Sequence, residues 1–310
     1  MVRLSIAHEY DIETLRGWFD HLSETRPMEI AASGYAICVH GSLLLAAIGA
    51  SKVVVVSFLL SIPVNLAALV AFLVTLAVYN HNKLTDLDED SVNAPERAAL
   101  FGSRTRFFAL LSVAAYITAL GLAVGGGPVA LALVLFPGVF GVFYSTRWLP
   151  VFEADRLKDV LVVGTAAVAV AWAVPLALLP LAFDGHVFGP AALVVLVFFF
   201  LRTVIAVELF NIRDVSGDRR EGVSTLPVVF GTRPTQYILG ALNGCSFVLL
   251  LWAVRLDLLA PVTLAVTPAI AYSLCIVTLA DGERSADRLC LASYFESPLM
   301  VVLLVVALSL

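Results

Sequence analysis

The sequence predicts an all-α membrane protein, a polytopic bundle of about nine transmembrane helices with Asp-rich loops on its cytoplasmic side. Hydrophobic residues make up 60% of the 310 residues and charged residues only 14%, a balance typical of polytopic membrane proteins. Apolar runs near 20 residues recur along the chain, and a helix of about 20 residues crosses the roughly 30 Å of bilayer hydrocarbon. Helices are expected because an isolated strand leaves its backbone groups unpaired in lipid.

Nine apolar runs are long enough to cross the bilayer. They lie near residues 30–50, 54–79, 105–125, 128–144, 158–181, 187–210, 234–255, 257–280 and 291–310. We therefore divide the chain into an N-terminal segment, 1–27, and a nine-helix transmembrane domain, 28–310.

The N-terminal segment 1–27 carries apolar residues at helical spacing, Ile12, Leu15, Phe19 and Leu22. This pattern predicts an amphipathic helix lying on the cytoplasmic interface. A solvated helix packed on the cytoplasmic loops fits the pattern equally well.

The basic residues predict the orientation. With nine spans, 16 of the 19 Lys and Arg residues fall in the N-terminal segment and in the loops after even-numbered spans. Lys52 and Arg255 fall on the opposite side, and Arg202 lies within the sixth span. Because loops rich in Lys and Arg stay in the cytoplasm, we predict a multi-pass cell-membrane protein whose acidic loops face the cytoplasm.

Two acidic clusters adjoin predicted span ends. At about 100° per helical residue, Asn82, Asp86 and Asp90 stay on one helix face over two turns. A second cluster, Asn211, Asp214 and Asp218, follows the sixth span. Both clusters lie on the predicted cytoplasmic side, so they could face each other across the mouth of one bundle.

Spacing alone is weak evidence, because Asp155 and Asp159 form a third pair at the same interval. For any single pair, a solvated helix face is the simpler interpretation. Only the other two clusters carry an upstream Asn, and the second continues into "GDRREGVSTLPVVFG". This longer context separates them from the third pair.

At these residues the chain resembles the UbiA superfamily of intramembrane aromatic prenyltransferases, which have nine transmembrane helices and two Asp-rich motifs on cytoplasmic loops. The family's N-x-x-x-D-x-x-x-D motif matches Asn82, Asp86 and Asp90. Its second D-x-x-x-D motif matches Asp214 and Asp218. The longer pattern around that motif is also present, in Arg213, Gly217, Gly222, Thr225, Leu226 and Pro227.

Some positions depart from the family pattern. Lys83 and Asn211 stand where Asp is common, and Tyr144 with Arg147 matches a Tyr-x-x-x-Lys element only loosely. Lys158 resembles the family's Lys at the start of span five. These differences leave the subfamily and the acceptor open.

The resemblance implies a Mg²⁺-dependent prenyltransferase that moves an isoprenyl group from its diphosphate to a lipophilic, aromatic acceptor. Carboxylates alone repel a diphosphate, whereas Mg²⁺ binds carboxylate and phosphate oxygens together. The implied catalytic residues and metal ligands are Asp86, Asp90, Asp214 and Asp218, with Asn82 as a further ligand. The implied substrate-binding residues are Asn82, Arg97, Tyr144, Lys158, Asn211 and Arg213. Expected partners are the donor, the acceptor and the bilayer, and nucleic acid is not among them.

Two other functions stay open. A terpene cyclase or hydratase of the same fold would ionise its substrate with the same motifs. A transporter would carry ionisable groups or broken helices near the bilayer midplane, whereas the acids here concentrate at one face. Glu208, inside the sixth span, either orients a metal ligand or an Arg side chain, or pairs with a neighbouring helix.

Overall fold

A computed structural model describes residues 42–87, 91, 95–145, 160–186 and 188–310. The predicted N-terminal segment 1–27 lies outside this part of the chain. Within it, every regular element is helical, which confirms the predicted fold class. The α-helices are α1 (Leu43–Leu59), α2 (Ala67–Thr85), α3 (Pro95–Ser103), α4 (Thr105–Ala123), α5 (Gly127–Ser145), α6 (Val163–Asp184), α7 (Pro190–Glu221), α8 (Leu226–Phe230), α9 (Thr232–Arg255), α10 (Thr267–Leu279), α11 (Glu283–Ser293) and α12 (Glu296–Ser309). Short 3₁₀ helices span Val124–Gly126 and Pro261–Val266.

Seven helical stretches among the described residues are long and apolar enough to cross a membrane, and α1 is a shorter apolar helix. The seven are Ala67–Thr85, Thr105–Gly141, Val163–Asp184, Pro190–Arg220, Thr232–Arg255, Pro261–Leu279 and Arg288–Ser309. Thr105–Gly141 contains two helices, α4 and α5, that pack side by side: the Tyr116 hydroxyl donates to the Val134 carbonyl at 3.1 Å. The total of nine spans stays a prediction.

The turn between the first two helices lies later than predicted. Because Lys52 is a lone charge between apolar runs, the sequence placed it in a loop, and this was wrong: Lys52 lies inside α1. The chain turns instead between α1 and α2, where Pro63 has no N–H to continue a helix. The Asn65 side chain then accepts the Ala67 N–H at 3.0 Å as α2 begins, in the manner of a helix cap.

The sixth predicted span also continues further than expected. Helix α7 has 32 residues and is therefore about 48 Å long, more than the roughly 30 Å of hydrocarbon. Asn211, Asp214 and Asp218 lie in its last turns rather than on a loop beyond it. The helix ends at Gly222, whose φ of 74° is the left-handed conformation that glycine adopts without strain.

Helix α7 runs through the centre of the bundle. Its Phe198 and Phe199 are buried in one apolar cluster with Val55 of α1, Leu250 of α9 and Leu304 of α12. Beside this cluster, α1 and α2 approach closely at Gly49, where an added Cβ would lie 2.5 Å from the Thr75 hydroxyl. Small residues at such contacts let membrane helices pack closely.

Candidate active site

A cavity of about 120 Å³ lies inside the bundle between α1, α2, α6, α7 and the junction of α11 with α12. The α7 wall of this central cavity consists of Phe199, Arg202, Thr203, Ala206, Val207 and Phe210. Steps of three and four residues keep these side chains on one helix face. Continuing the same steps leads to Asp214 and Asp218, so the second motif extends the cavity-lining face toward the end of α7.

The first motif follows the residues of α2 that line the central cavity. Thr75 and Tyr79 of α2 line it, and the same spacing continues to Asn82 and Asp86. Asp86 is the residue at which α2 ends, and its N–H donates to the Asn82 carbonyl at 2.9 Å. Asn82 itself lines a second cavity, between α2, α4 and α5. The residue spacing thus continues the cavity-lining faces of α2 and α7 toward the two motifs. Asp90 lies outside the described residues.

Arg213 and Asp214 form a bidentate pair. The Arg213 Nε donates to Asp214 Oδ1 and its Nη2 to Oδ2, each at 2.8 Å. The guanidinium also lies over the Phe210 ring, 4.9 Å from its centroid, a cation–π geometry. Phe210 in turn packs on Tyr294, with ring centroids 5.6 Å apart. Arg213 is therefore held in place at the mouth of the cavity.

Asp218 is tied to the chain that follows α7. Its carbonyl accepts the Val223 N–H at 2.9 Å, and its Oδ2 accepts the Thr225 hydroxyl at 3.3 Å. This return requires the left-handed turn at Gly222. The pattern residues Gly222 and Thr225 thus act in one local structure, which positions the Asp218 carboxylate.

Glu208 lies one turn before Asn211 and is almost fully buried, at 1% exposure. The Thr165 hydroxyl of α6 donates to Glu208 Oε1 at 2.5 Å. The structure thus shows pairing with a neighbouring helix, and Glu208 also forms a hydrogen bond with Asn211 of the second motif. The contact with Thr165 fixes the start of α6 against α7 just below the second motif.

The structure describes some of the remaining predicted substrate-binding residues and not others. Arg97 of α3 is half-buried and lies within electrostatic range of Tyr294, so it is near the cavity mouth. Asn211 is half-buried on α7. Tyr144 belongs to α5, but its side chain lies outside the described part, as does the whole of Lys158.

Three charged residues inside the bundle line the central cavity: Lys52, Arg202 and Glu296. Arg202 Nη2 lies 2.6 Å from Glu296 Oε1, and Arg202 Nη1 donates to Asn243 Oδ1 at 2.8 Å. Sequence reasoning placed Lys52 in a loop and did not single out Glu296. A lone charge inside an apolar run could have identified both residues from the sequence. Charged residues are costly inside membranes and therefore tend to mark functional positions. Acidic residues are therefore not confined to the two motifs, because Glu296 lies inside the bundle.

The described residues contain no group of three or more His, Cys, Asp and Glu side chains close enough to hold a metal ion. The carboxylates of Asp86, Asp214 and Asp218 nevertheless provide the oxygen ligands that Mg²⁺ prefers. Both oxygens of Asp214 accept from Arg213, so a metal bound there would either share the carboxylate with this arginine or leave the arginine free for another partner. A diphosphate would offer that partner, because arginine pairs well with phosphate.

Comparisons with known proteins agree on one family. Residues 35–297 match the UbiA prenyltransferase family. A digeranylgeranylglyceryl phosphate synthase from Methanothermobacter thermautotrophicus is 30% identical over 227 residues, which are 64% of this chain and 73% of that protein. The synthase of the same name from Methanococcoides burtonii is 31% identical over 177 residues, 56% of this chain and 58% of that protein.

A solved structure shares the fold. The UbiA homolog from Archaeoglobus fulgidus bound to GPP and Mg²⁺ superposes with a TM-score of 0.63 at 19% identity. The match covers 87% of this chain and 99% of that structure.

Proposed function

Since the chain belongs to the UbiA prenyltransferase family and is an intramembrane prenyltransferase, we propose that its acceptor is a glycerol lipid that carries a phosphate. The observation that carries this proposal is the similarity to two archaeal synthases named for digeranylgeranylglyceryl phosphate. The acceptor is then a lipid alcohol, in place of the aromatic acceptor predicted from the sequence. In this reaction the allylic C–O bond to diphosphate breaks, a C–O ether bond forms, and the acceptor hydroxyl loses its proton.

We propose that the donor diphosphate binds at the mouth of the central cavity with Mg²⁺. Asp86, Asp90, Asp214 and Asp218, together with Asn82, are the proposed metal ligands. The metal supplies electrophilic stabilisation of the leaving diphosphate. A homologous structure that holds GPP and Mg²⁺ supports this assignment.

Arginine side chains complete the proposed diphosphate site. Arg213 is already pre-positioned by Phe210, and Arg97 lies near the same mouth. Negative charge grows on the diphosphate as the C–O bond breaks, so fixed cations stabilise the transition state more than the ground state. Asn211, Tyr144 and Lys158 remain proposed substrate-binding residues on the strength of the family resemblance.

The cavity below the mouth suits an allylic cation. Its walls include Tyr79 stacked on Trp172, with ring centroids 5.3 Å apart, and the buried Phe199. The sequence stretches "AAVAVAWAV" and "VLVFFFLR", considered as possible channel walls, contribute Trp172 and Phe199 to this lining. These aromatic side chains would limit the access of water, which would otherwise capture the cation, although Lys52, Arg202 and Glu296 line the same cavity.

We further propose that the mouth faces the cytoplasm. The sorting of basic residues supports this orientation, and the length of α7 supports an aqueous position for its last turns. Arg219 and Arg220 lie exposed there, at the end of the helix where cations are favoured.

The identity of the acceptor is tested by offering several candidate acceptors to the protein with the same donor. Purified protein, Mg²⁺ and geranylgeranyl diphosphate are incubated with geranylgeranylglyceryl phosphate, with its dephosphorylated form, or with an aromatic acceptor. We expect diphosphate release and a diether product with geranylgeranylglyceryl phosphate. Transfer to the aromatic acceptor alone would overturn the proposal. Release without acceptor, giving a cyclised or hydrated product, would assign the cyclase or hydratase function.

A further inference from the structure

The second cavity, between α2, α4 and α5, is larger than the central one. Its volume is about 430 Å³, compared with about 120 Å³ for the central cavity. It lies beside the last turns of α2 and α5 and is bounded by Val78 of α2, Ile117 of α4 and Val139 of α5. We call this space the membrane-facing groove. Its volume falls within the roughly 300–1,000 Å³ of small-molecule sites.

The groove opens toward the bilayer. In the part of the chain that the structure describes, four aliphatic side chains both line it and are exposed: Val113 and Ile117 of α4, and Leu135 and Val139 of α5. Both helices belong to a stretch that is long and apolar enough to cross a membrane. The exposed side chains therefore face hydrocarbon, and a ligand enters this groove from the lipid.

The wall of the groove is apolar except at one end. The Ser112 hydroxyl donates to a carbonyl of its own helix at 2.8 Å, and the Tyr116 hydroxyl donates to the Val134 carbonyl at 3.1 Å. The other polar side chains of the wall are His81 and Asn82, which are adjacent near the end of α2. A matching ligand therefore has a hydrocarbon body and a polar end that lies beside these two residues.

Asn82 connects the groove to the proposed diphosphate site, because it belongs to the first motif. At about 100° per residue around the helix, Asn82 lies between two neighbouring faces of α2. Thr75, on one side, lines the central cavity, and Val78, on the other, lines the groove. The polar end of the groove is therefore next to the place where the donor diphosphate is proposed to bind.

The reaction limits where an acceptor can lie. Its hydroxyl must come within about 3–3.5 Å of the reacting carbon of the donor, so its glycerol unit lies beside the motif and its chain leaves from there. The central cavity is assigned to the allylic part of the donor. The acceptor chain therefore needs a different path into the lipid.

We propose that the membrane-facing groove binds the isoprenoid chain of the lipid acceptor, with the glycerol unit at the Asn82 end. This inference rests on the proposed function. From Leu135 to Gly141 the groove extends about 9 Å along α5. The part of the chain nearest the glycerol then lies in the groove, and the rest continues into the bilayer.

Two glycines of α5 contribute to the space in the groove. At Gly138 an added Cβ would clash with the Tyr116 hydroxyl, so this glycine makes room for the tyrosine. At Gly141 an added Cβ would meet nothing within 4 Å, so a larger side chain there occupies the groove without displacing a neighbour. Gly121 of α4 also has open space around it, is exposed and does not line the groove. It provides the matched control.

The test measures acceptor and donor binding separately, so that it does not depend on turnover. Radiolabelled geranylgeranylglyceryl phosphate, or geranylgeranyl diphosphate with Mg²⁺, is titrated against detergent-purified wild type, Gly141→Leu, Gly141→Ala and Gly121→Leu. We expect Gly141→Leu to weaken acceptor binding at least about tenfold, which corresponds to about two buried methylene groups. Donor binding should stay at the wild-type level in all variants, which also shows that they are folded.

The variants decide what the groove holds. We expect a smaller loss of acceptor binding in Gly141→Ala, which provides the test if the leucine variant does not fold, and no loss in Gly121→Leu. Unchanged acceptor binding in the Gly141 variants would overturn the inference and leave the groove to bulk lipid or to another segment of the chain. A loss of donor binding alone would assign the groove to the donor chain and overturn it as well.

The failure of this inference is distinguishable from the failure of the proposed function. If Gly141→Leu selectively weakens acceptor binding but the wild type never prenylates the bound lipid, the groove is a lipid site and the proposed reaction is wrong. If the wild type prenylates the lipid and Gly141→Leu does so with an unchanged acceptor KM, the reaction stands and the groove assignment is wrong.

Discussion

Arg213 and Asp214, neighbours in sequence, face each other through two hydrogen bonds of 2.8 Å. The acid and the base thus satisfy one another at the cavity mouth. A diphosphate would take over the arginine and Mg²⁺ the carboxylate. In the proposed site, ligand binding would exchange partners among groups that are already in position.

Replacing Arg213 tests this exchange. Lysine keeps the charge but cannot form the planar bidentate contact, so we expect Arg213→Lys to lower kcat/KM for the donor by about 10- to 100-fold. Steady-state kinetics of diphosphate release measure the change. Arg233→Lys, an exposed change on α9, is the matched control. Equal losses in the two variants would argue against a diphosphate contact by Arg213.

Gly222 and Gly185 adopt the same backbone conformation. Replacing each with alanine therefore distinguishes the cost of backbone strain from an effect on the position of Asp218. Gly222 and Gly185 both end helices with positive φ, 74° and 69°, so alanine at either costs about 1–2 kcal/mol. Only Gly222 turns the chain that returns Thr225 to Asp218. We expect similar falls in apparent Tm for the two alanine variants, and a raised donor KM for Gly222→Ala alone. Unchanged donor binding in Gly222→Ala would show that this turn does not position Asp218.

The contact of α1 with α2 predicts a stability difference. At Gly49 an added Cβ would lie 2.5 Å from Thr75 Oγ1 and 3.3 Å from Thr75 Cβ. We expect Gly49→Ala to destabilise the protein by about 1–3 kcal/mol through overpacking, seen as a lower apparent Tm in detergent. Gly121→Ala, within α4, meets nothing within 4 Å and should be neutral or stabilising. A lower apparent Tm for Gly121→Ala than for Gly49→Ala would contradict the observed packing.

The buried bond from Thr165 to Glu208 predicts a second stability effect. In Thr165→Val the Glu208 carboxylate loses this donor, so we expect a loss of about 1–3 kcal/mol. Thr165→Ser keeps a hydroxyl and should lose much less. Apparent Tm at a fixed scan rate distinguishes them. Equal stability of the valine variant and wild type would mean that this contact contributes nothing.

The sequence predicted features that depend on local periodicity. Apolar length predicted the helices, and residue spacing predicted that Asn211, Asp214 and Asp218 share a face. The turn between α1 and α2 was misplaced, because the hydropathy break at Lys52 is stronger than the signal from Pro63 and Asn65.

Contacts between distant helices were not predictable in this way. The pair of Arg202 with Glu296 and the bond from Thr165 to Glu208 join residues far apart in the chain. Such contacts depend on how each helix is rotated and packed, which the periodicity of one helix does not determine. The charged wall of the central cavity therefore emerged only from the structure.

The central claim is that the ends of α2 and α7 form one Mg²⁺-dependent diphosphate site. Its most direct test is Mg²⁺-dependent diphosphate release by Asp86→Asn and Asp218→Asn, one change on each motif. The control is Asp257→Asn, in the turn after α9, where φ is 55° and asparagine is tolerated. We expect each motif variant to lose at least about 100-fold in kcat and the control to keep wild-type activity. Full activity in either motif variant, or an equal loss in the control, would contradict the account.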